Sequence, residues 1–313
     1  MNVQSTRREF VRATAAGLGA LAFASQPIAA AKDAEKGQAK TPVIDTHLHC
    51  FAGTADKRFP YHPKGPYQPQ EAATPEHLLA CMQGAGVDYA IVVHPEPYQD
   101  DHRYLEHCLK VGGGKLKGTL LLFADQSNSI PRMAELAKRL AVVTVRIHAY
   151  APERLPPFGK PALKAFWKAA ADNGLAVQLH FEPRYAAGFE PLIKEFTDTR
   201  VIIDHLGRPF QGTPDDYQKV VGWSKWKNTV MKISSLPEER MYPHRKIEPI
   251  LKQLTDAFGP ERLIYGGGFN GAATTGETYR AAFDRARALL GHLSPAERAQ
   301  VFGGNAARLF KFA

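Results

Sequence analysis

Two histidines separated by one residue, His47 and His49, close the apolar, β-branched stretch Val43-Ile44-Asp45-Thr46-His47-Leu48-His49. Alternate side chains of a strand share a face, so both imidazoles point to one side, with Asp45 below them. Neutral imidazoles side by side suit a divalent transition metal such as zinc. An H-x-H pair also arises by chance at a polar strand end, so its weight depends on what joins it. Much does. His94 ends a second apolar run. Thr144, Arg146 and His148 share one face of another, as do Gln178, His180 and Glu182. His205 ends a further run, and Lys232 and Ser234 share a face of the next. Six of the twelve histidines therefore fall toward strand ends. Arg146, Arg208, Arg184 and Lys232 are candidates for holding carboxylate or sugar-acid oxygens, because guanidinium forks suit two-point contacts with carboxylates.

The elements that would position these groups alternate along the chain. Strand character falls at 43–49, 89–94, 116–123, 141–148, 176–182, 201–206, 229–235 and 262–267, with helical periodicity between. Thr74-Pro75 and Ser294-Pro295 read as helix starts, the second with Glu297 completing a capping box. The apolar face of residues 166–170 ends at Asn173-Gly174. Most strands are apolar on both faces, as expected when helices cover one side and a closed interior the other. Eight such units predict a single-domain (β/α)8 barrel over 42–313, with reactive groups at the carboxyl ends of the strands. No glycine-rich phosphate loop follows the first strand to favour an open doubly wound sheet. Convergent polar groups at one barrel rim make a concave small-molecule site the default reading.

The first residues read differently. Thr6-Arg7-Arg8-Glu9-Phe10-Val11, a short Ala- and Gly-rich run, and Ala29-Ala30-Ala31 predict an export signal over 1–31, with a polar linker over 32–41. The run is too short for a permanent membrane anchor. The arginine pair resembles a twin-arginine signal, which implies a periplasmic location. The chain carries a net charge of +9, and loss of three arginines and one glutamate with 1–31 leaves +7. No basic run is dense enough for a nucleic-acid groove, although a basic surface steers anionic substrates. Three cysteines without a Cys-x-x-Cys exclude a zinc ribbon and a disulfide framework.

Ile44-Asp45-Thr46-His47-Leu48-His49, His180, Asp204-His205-Leu206-Gly207 and the closing Gly303-Gly304-Asn305-Ala306-Ala307-Arg308-Leu309-Phe310 together resemble the amidohydrolase superfamily. The branch they resemble is amidohydrolase family 2, which includes pyrone-dicarboxylate lactonases, sugar-lactone hydrolases and metal-dependent decarboxylases. The resemblance spans Val43 to the C-terminus. It implies that His47, His49 and His180 bind zinc or another divalent metal, and that His205 activates water or a substrate group.

One position departs from that pattern. Where the branch carries an aspartate at the end of the eighth strand, Tyr265-Gly266-Gly267-Gly268-Phe269-Asn270 has Gly268, which supplies neither a metal ligand nor a base. Three readings follow. The three histidines hold a metal with water in the fourth place, Glu182 standing in for the missing carboxylate and His205 acting as base. Alternatively no metal binds, as implied by the metal-independent pyrone lactonases, and His47, His49, His180 and His205 polarise a carbonyl and move protons. Or the barrel binds without turnover. The expected activity is hydrolysis of a lactone or related cyclic ester of a small anionic or sugar-derived substrate, with a decarboxylase as the rival. Catalytic candidates are His205 and Glu182, and substrate candidates are His94, Arg146, His148, Arg208 and Lys232. The 52–69 loop either roofs the pocket, offering Tyr61 or Tyr67 to a ring, or is plain surface packing. Asp204 and Cys50 are expected to face away from the site, by the same alternation.

Overall fold

The computed structural model describes residues 40–237 and 245–312. The expected export signal and all but the last two residues of the expected linker lie outside the described residues. From Thr41 onward the chain forms one compact unit.

Eight parallel strands make one sheet in chain order. They are β1 (Ile44–Leu48), β2 (Tyr89–Val93), β3 (Leu116–Leu121), β4 (Val142–Ala149), β5 (Ala176–Phe181), β6 (Val201–Ile203), β7 (Thr229–Ile233) and β8 (Leu263–Tyr265). The helices between them are α1 (Pro75–Ala85), α2 (Arg103–Gly112), α3 (Ser129–Arg139), α4 (Pro161–Asp172), α5 (Glu190–Glu195), α6 (Pro214–Val221), α7 (Glu248–Phe258) and α8 (Gly276–Leu289). This is the (β/α)8 barrel that the alternating pattern predicts. The helix starts form for the expected reasons. Thr74 accepts from the His77 amide ahead of Pro75, and Ser294 exchanges bonds with Glu297. α4 buries Phe166, Trp167, Ala169 and Ala170 and stops where Gly174 takes φ +68°.

Two layers fill the molecule. Between strands and helices lies the large apolar core, including Trp167, Trp223 and Phe181. Inside the barrel, Ile44, Ile91, Ala176, Ile202, Val230 and Ile264 give one residue from each of six strands to a floor sealed by Phe310 and Phe312. Above that floor the interior is polar. Register carries the polar groups into two successive layers, since Arg146 pairs with Gln178 and, two residues further on, His148 with His180 across β4 and β5.

The β8–β1 seam is closed by side chains. Thr46 Oγ1 donates to Tyr265 O at 2.6 Å, and Asp45 accepts from the Gly267 and Gly268 amides at 2.8 and 2.9 Å and from Tyr279 of α8 at 2.7 Å. The β1 register shifts between Asp45 and Leu48. Asp45, expected beneath the two histidines, therefore turns to β8 and α8 instead. The approach at this seam demands glycine, because a Cβ on Gly266 would lie 2.7 Å from both the backbone N and Cβ of His47. Gly266→Ala is thus expected to lower unfolding stability by about 1–3 kcal/mol through overpacking. Gly222→Ala, where a Cβ meets open space and φ is −61°, should leave the urea midpoint nearly unchanged.

Candidate active site

Asp204 organises the polar layer. Its carboxylate is fully buried, with Oδ2 accepting from Arg146 Nε and Gln178 Nε2, each at 2.9 Å, and Oδ1 3.1 Å from Lys232 Nζ. Lys232 Nζ also donates to Thr46 O at 3.0 Å, tying β7 to β1. Burial alone would raise the Asp204 pKa, but Lys232 and Arg146 hold it well below the ordinary carboxylate value. Strict strand alternation turns Asp204 away from the site. It fails because β6 ends at Ile203, and His205, Leu206, Gly207 and Arg208 all take φ between +54° and +68°. This left-handed turn brings the Asp204 carboxylate and the His205 ring to the same side of the chain. Three of its residues are not glycine, each strained by roughly 1–2 kcal/mol. Bonds that offset the strain include the Gly207 amide to Asp204 O and Tyr217 Oη to Leu206 O, at 3.0 and 2.9 Å.

Four imidazoles form a string across the rim. Ring centroids of His49 and His47 lie 5.1 Å apart, of His47 and His205 4.5 Å, and of His205 and His180 5.1 Å. His205 Nε2 accepts from Arg146 at 3.3 Å, which assigns the proton to Nδ1, and Nδ1 lies 2.9 and 2.8 Å from the Ser234 and Ser235 hydroxyls. His49 Nδ1 donates to Val93 O at 2.7 Å, leaving Nε2 free to accept. His180 Nε2 accepts from Arg208, and its buried Nδ1 has no partner among the described residues. Burial lowers the His205 pKa to about 3 and that of His49 to about 4, and drives His47 and His180 well below 6.5. All four rings are neutral at neutral pH.

These rings face a cavity of about 520 Å³. Arg146 and Arg208 line it with His47, His49, His180 and His205, and Tyr67 reaches it from the 52–69 loop, as expected. Glu96, just after β2, also lines it. Its carboxylate accepts from Tyr150 Oη and Arg154 and lies 3.1 Å from His148 Nδ1. Nothing in the alternation argument pointed to Glu96, because it sits in a short 3₁₀ turn beyond a strand end.

Several expected site residues stand elsewhere. Lys232 lies beneath the cavity, paired with Asp204. His148 is also behind the wall, held to Glu96. His94 does not line the cavity, since its Nε2 bonds Gln99 O at 2.9 Å and its ring stacks on His102 at 4.3 Å. Glu182 does not line it either. The chain leaves β5 at Phe181, and Glu182 pairs with Arg184 at 2.8 Å, both outside the cavity lining. Gly268 admits no aspartate, because a Cβ there would meet the Tyr279 ring at 2.2 Å.

The donor cluster that forms also differs from the expected His47, His49 and His180. Among the described residues, His47, Asp204 and His205 bring ligand atoms within 4.8 Å of one another. This set fits a divalent transition metal in kind and spacing. It fits less well in charge, because Arg146 donates to Asp204 Oδ2 and Lys232 lies 3.1 Å from Oδ1, although Oδ1 itself accepts no hydrogen bond among the described residues. One of the two cations cancels Asp204. At an effective dielectric of about 20 the other would repel a divalent ion 4 Å away by about 8 kcal/mol.

The amidohydrolase family pattern matches residues 44–312, and the chain belongs to that family. Among curated proteins it is similar to an L-fucono-1,5-lactonase of Burkholderia ambifaria, 25% identical over 76% of this chain and 84% of the relative. Among solved structures, a probable 2-pyrone-4,6-dicarboxylic acid hydrolase of Acinetobacter baumannii with citric acid bound superposes with a TM-score of 0.69 at 22% identity, covering 86% of this chain and 99% of the other. A zinc-bound amidohydrolase of Burkholderia multivorans gives 0.68 at 18% identity, covering 87% and 100%. Both solved structures share the barrel.

The buried neutral histidines make stability depend on pH. Their folded pKa values lie below the unfolded value near 6.5, so the unfolded chain binds more protons between the two. Stability is thus fully present above about pH 6.5 and is lost as pH falls from there toward 3–4. Urea midpoints are expected to fall steadily over that window, each such histidine contributing up to about 1.4 kcal/mol per pH unit.

Proposed function

We propose that this chain is a hydrolase that opens a small lactone with water, using its own side chains rather than an obligatory metal. The observation that carries the reading is a neutral His205, backed by two serine hydroxyls, facing the same cavity as two arginines. The similarity to a lactonase supports it.

In the proposed reaction the lactone carbonyl oxygen lies against Arg146, which then releases His205 Nε2. A water at Nε2 gives up a proton as its oxygen bonds to the carbonyl carbon. The tetrahedral oxyanion forms beside Arg146 and Arg208, which are placed before charge develops. The ring C–O bond then breaks, and His205 returns the proton to the departing ring oxygen. Water has been added across the ester, and the new carboxyl group gives its remaining proton to solvent as the hydroxy acid leaves as its carboxylate. Asp204 stays ionised throughout, holding Arg146 in place.

The Arg7-Arg8 signal belongs to the same proposal, with action in the periplasm on a small anionic or sugar-derived lactone. What supports export is the sequence alone. Among the described residues no helix is long and apolar enough to cross a membrane.

A lactone panel read by acid release tests the reading, with carbon dioxide release as the mark of the rival decarboxylase. His205→Asn should reduce kcat by about 10²–10⁴-fold while the protein stays folded. Unchanged turnover would remove His205 from this role. Dialysis against a chelator should leave kcat unaltered, with elemental analysis showing far less than one metal per chain. Activity lost on chelation and restored by zinc would overturn the metal-free mechanism.

A further inference from the structure

The cavity is electrically lopsided. Arg146 and Arg208 line it together with Glu96, the carboxylate among its lining residues. Three groups hold Glu96 in place, and the mechanism above uses none of them. Tyr150 Oη and Arg154 donate to it, and His148 Nδ1 lies 3.1 Å from Oε1. Those contacts concentrate on Oε1. Among the described residues, Oε2 is touched by the Tyr150 hydroxyl alone. An ionised carboxylate offers about four acceptor sites. Tyr150 and Arg154 are the hydrogen-bond donors accounted for, His148 Nδ1 lying close without a hydrogen bond, so acceptor capacity on a side chain that is only 11% exposed remains for whatever fills the cavity. Burial works against the charge, but His148, Tyr150 and Arg154 outweigh it and hold the pKa at about 2, so the group is ionised at any working pH.

We propose that Glu96 determines which lactone is accepted, by taking a hydrogen bond from a ring hydroxyl of the substrate and repelling any second carboxylate. The inference rests on the lactonase reading and narrows it to hydroxylated rings bearing no further acid group. Glu96 has a side that faces the ligand and a side fixed by Arg154, and Arg154 is thereby neutralised as a carboxylate receptor. A pocket built to accept from a substrate hydroxyl discriminates strongly against an analogue lacking it, because the acceptor is then left unpaired.

The test compares wild type with Glu96→Gln on a polyhydroxylated δ-lactone and on unsubstituted δ-valerolactone. Binding of glutarate, a dicarboxylate, is measured by calorimetry on both proteins. The variant should lose about tenfold or more in kcat/KM on the hydroxylated ring and little on the bare one. It should also bind glutarate more tightly, since an anion has been removed. Tighter dicarboxylate binding is an outcome that mere damage to the wall would not produce. Equal losses on both lactones, or glutarate binding unchanged or weakened, would overturn the proposal. If the wild type opened no lactone, the functional reading would fall. Calorimetry with glutarate and with a polyhydroxylated monoacid would still decide the role of Glu96, which requires opposite shifts for the two ligands.

Discussion

A carboxylate buried inside a barrel is tolerated only when its charge is met on every side, and Asp204 is met by Arg146, Lys232 and Gln178. These partners come from β4, β7 and β5, so one ionised group fixes the relative positions of four strands at the height where the cavity begins. Removing it would strand two cations in the interior, a defect worth about 3–5 kcal/mol. The orientation of Arg146, the tautomer of His205 and the surroundings of His47 all follow from this charge. The active-site geometry and the stability of the upper barrel are here the same interaction.

The second constraint is the seam. β8 and β1 approach so closely that Gly266 has no room for a side chain, and Asp45 bridges the gap by capping the two amides that follow. Tyr279 then reaches in from α8 to the same carboxylate and occupies the volume that a side chain at position 268 would need. Gly268 is thus one part of a coupled arrangement of Asp45, Gly268 and Tyr279. An aspartate placed at that single position would meet an aromatic ring.

Much of this was legible in the sequence, and the failures have physical causes. The strand count and the gathering of His47, His49, His180, His205, Arg146 and Arg208 followed from periods of two and 3.6 and from the barrel rule. Alternation failed wherever the strand itself ended or bulged. It misplaced Asp204 because a left-handed turn begins one residue later, Glu182 because β5 stops at Phe181, and Asp45 because β1 shifts register. No local rule foresees four consecutive left-handed residues, three of them not glycine. Glu96 lay in a turn, and its importance comes from partners over fifty residues away at Tyr150 and Arg154. The departure at Gly268 was visible at once. Its reason, a ring arriving from the following helix, was not.

The charge pattern favours one chemistry over another. A metal-centred hydrolase places anionic donors around a cation and lets the ion polarise the carbonyl. Here Asp204 is already neutralised by two cations, Arg208 adds a third, and the imidazoles are too desolvated to gain protons. The net field at the rim is positive without any ion, which suits an oxygen that becomes negative as water adds. A low imidazole pKa makes His205 a modest base, so more of the barrier must be lowered by the arginines than by proton abstraction. That division suits an activated ester better than an amide. Under the proposed reading, Glu96 adds an anion to the lining that the arginines share, so a carboxylate product meets a like charge that a neutral lactone does not. In the proposed reaction the same wall that orients the substrate therefore disfavours retention of the product.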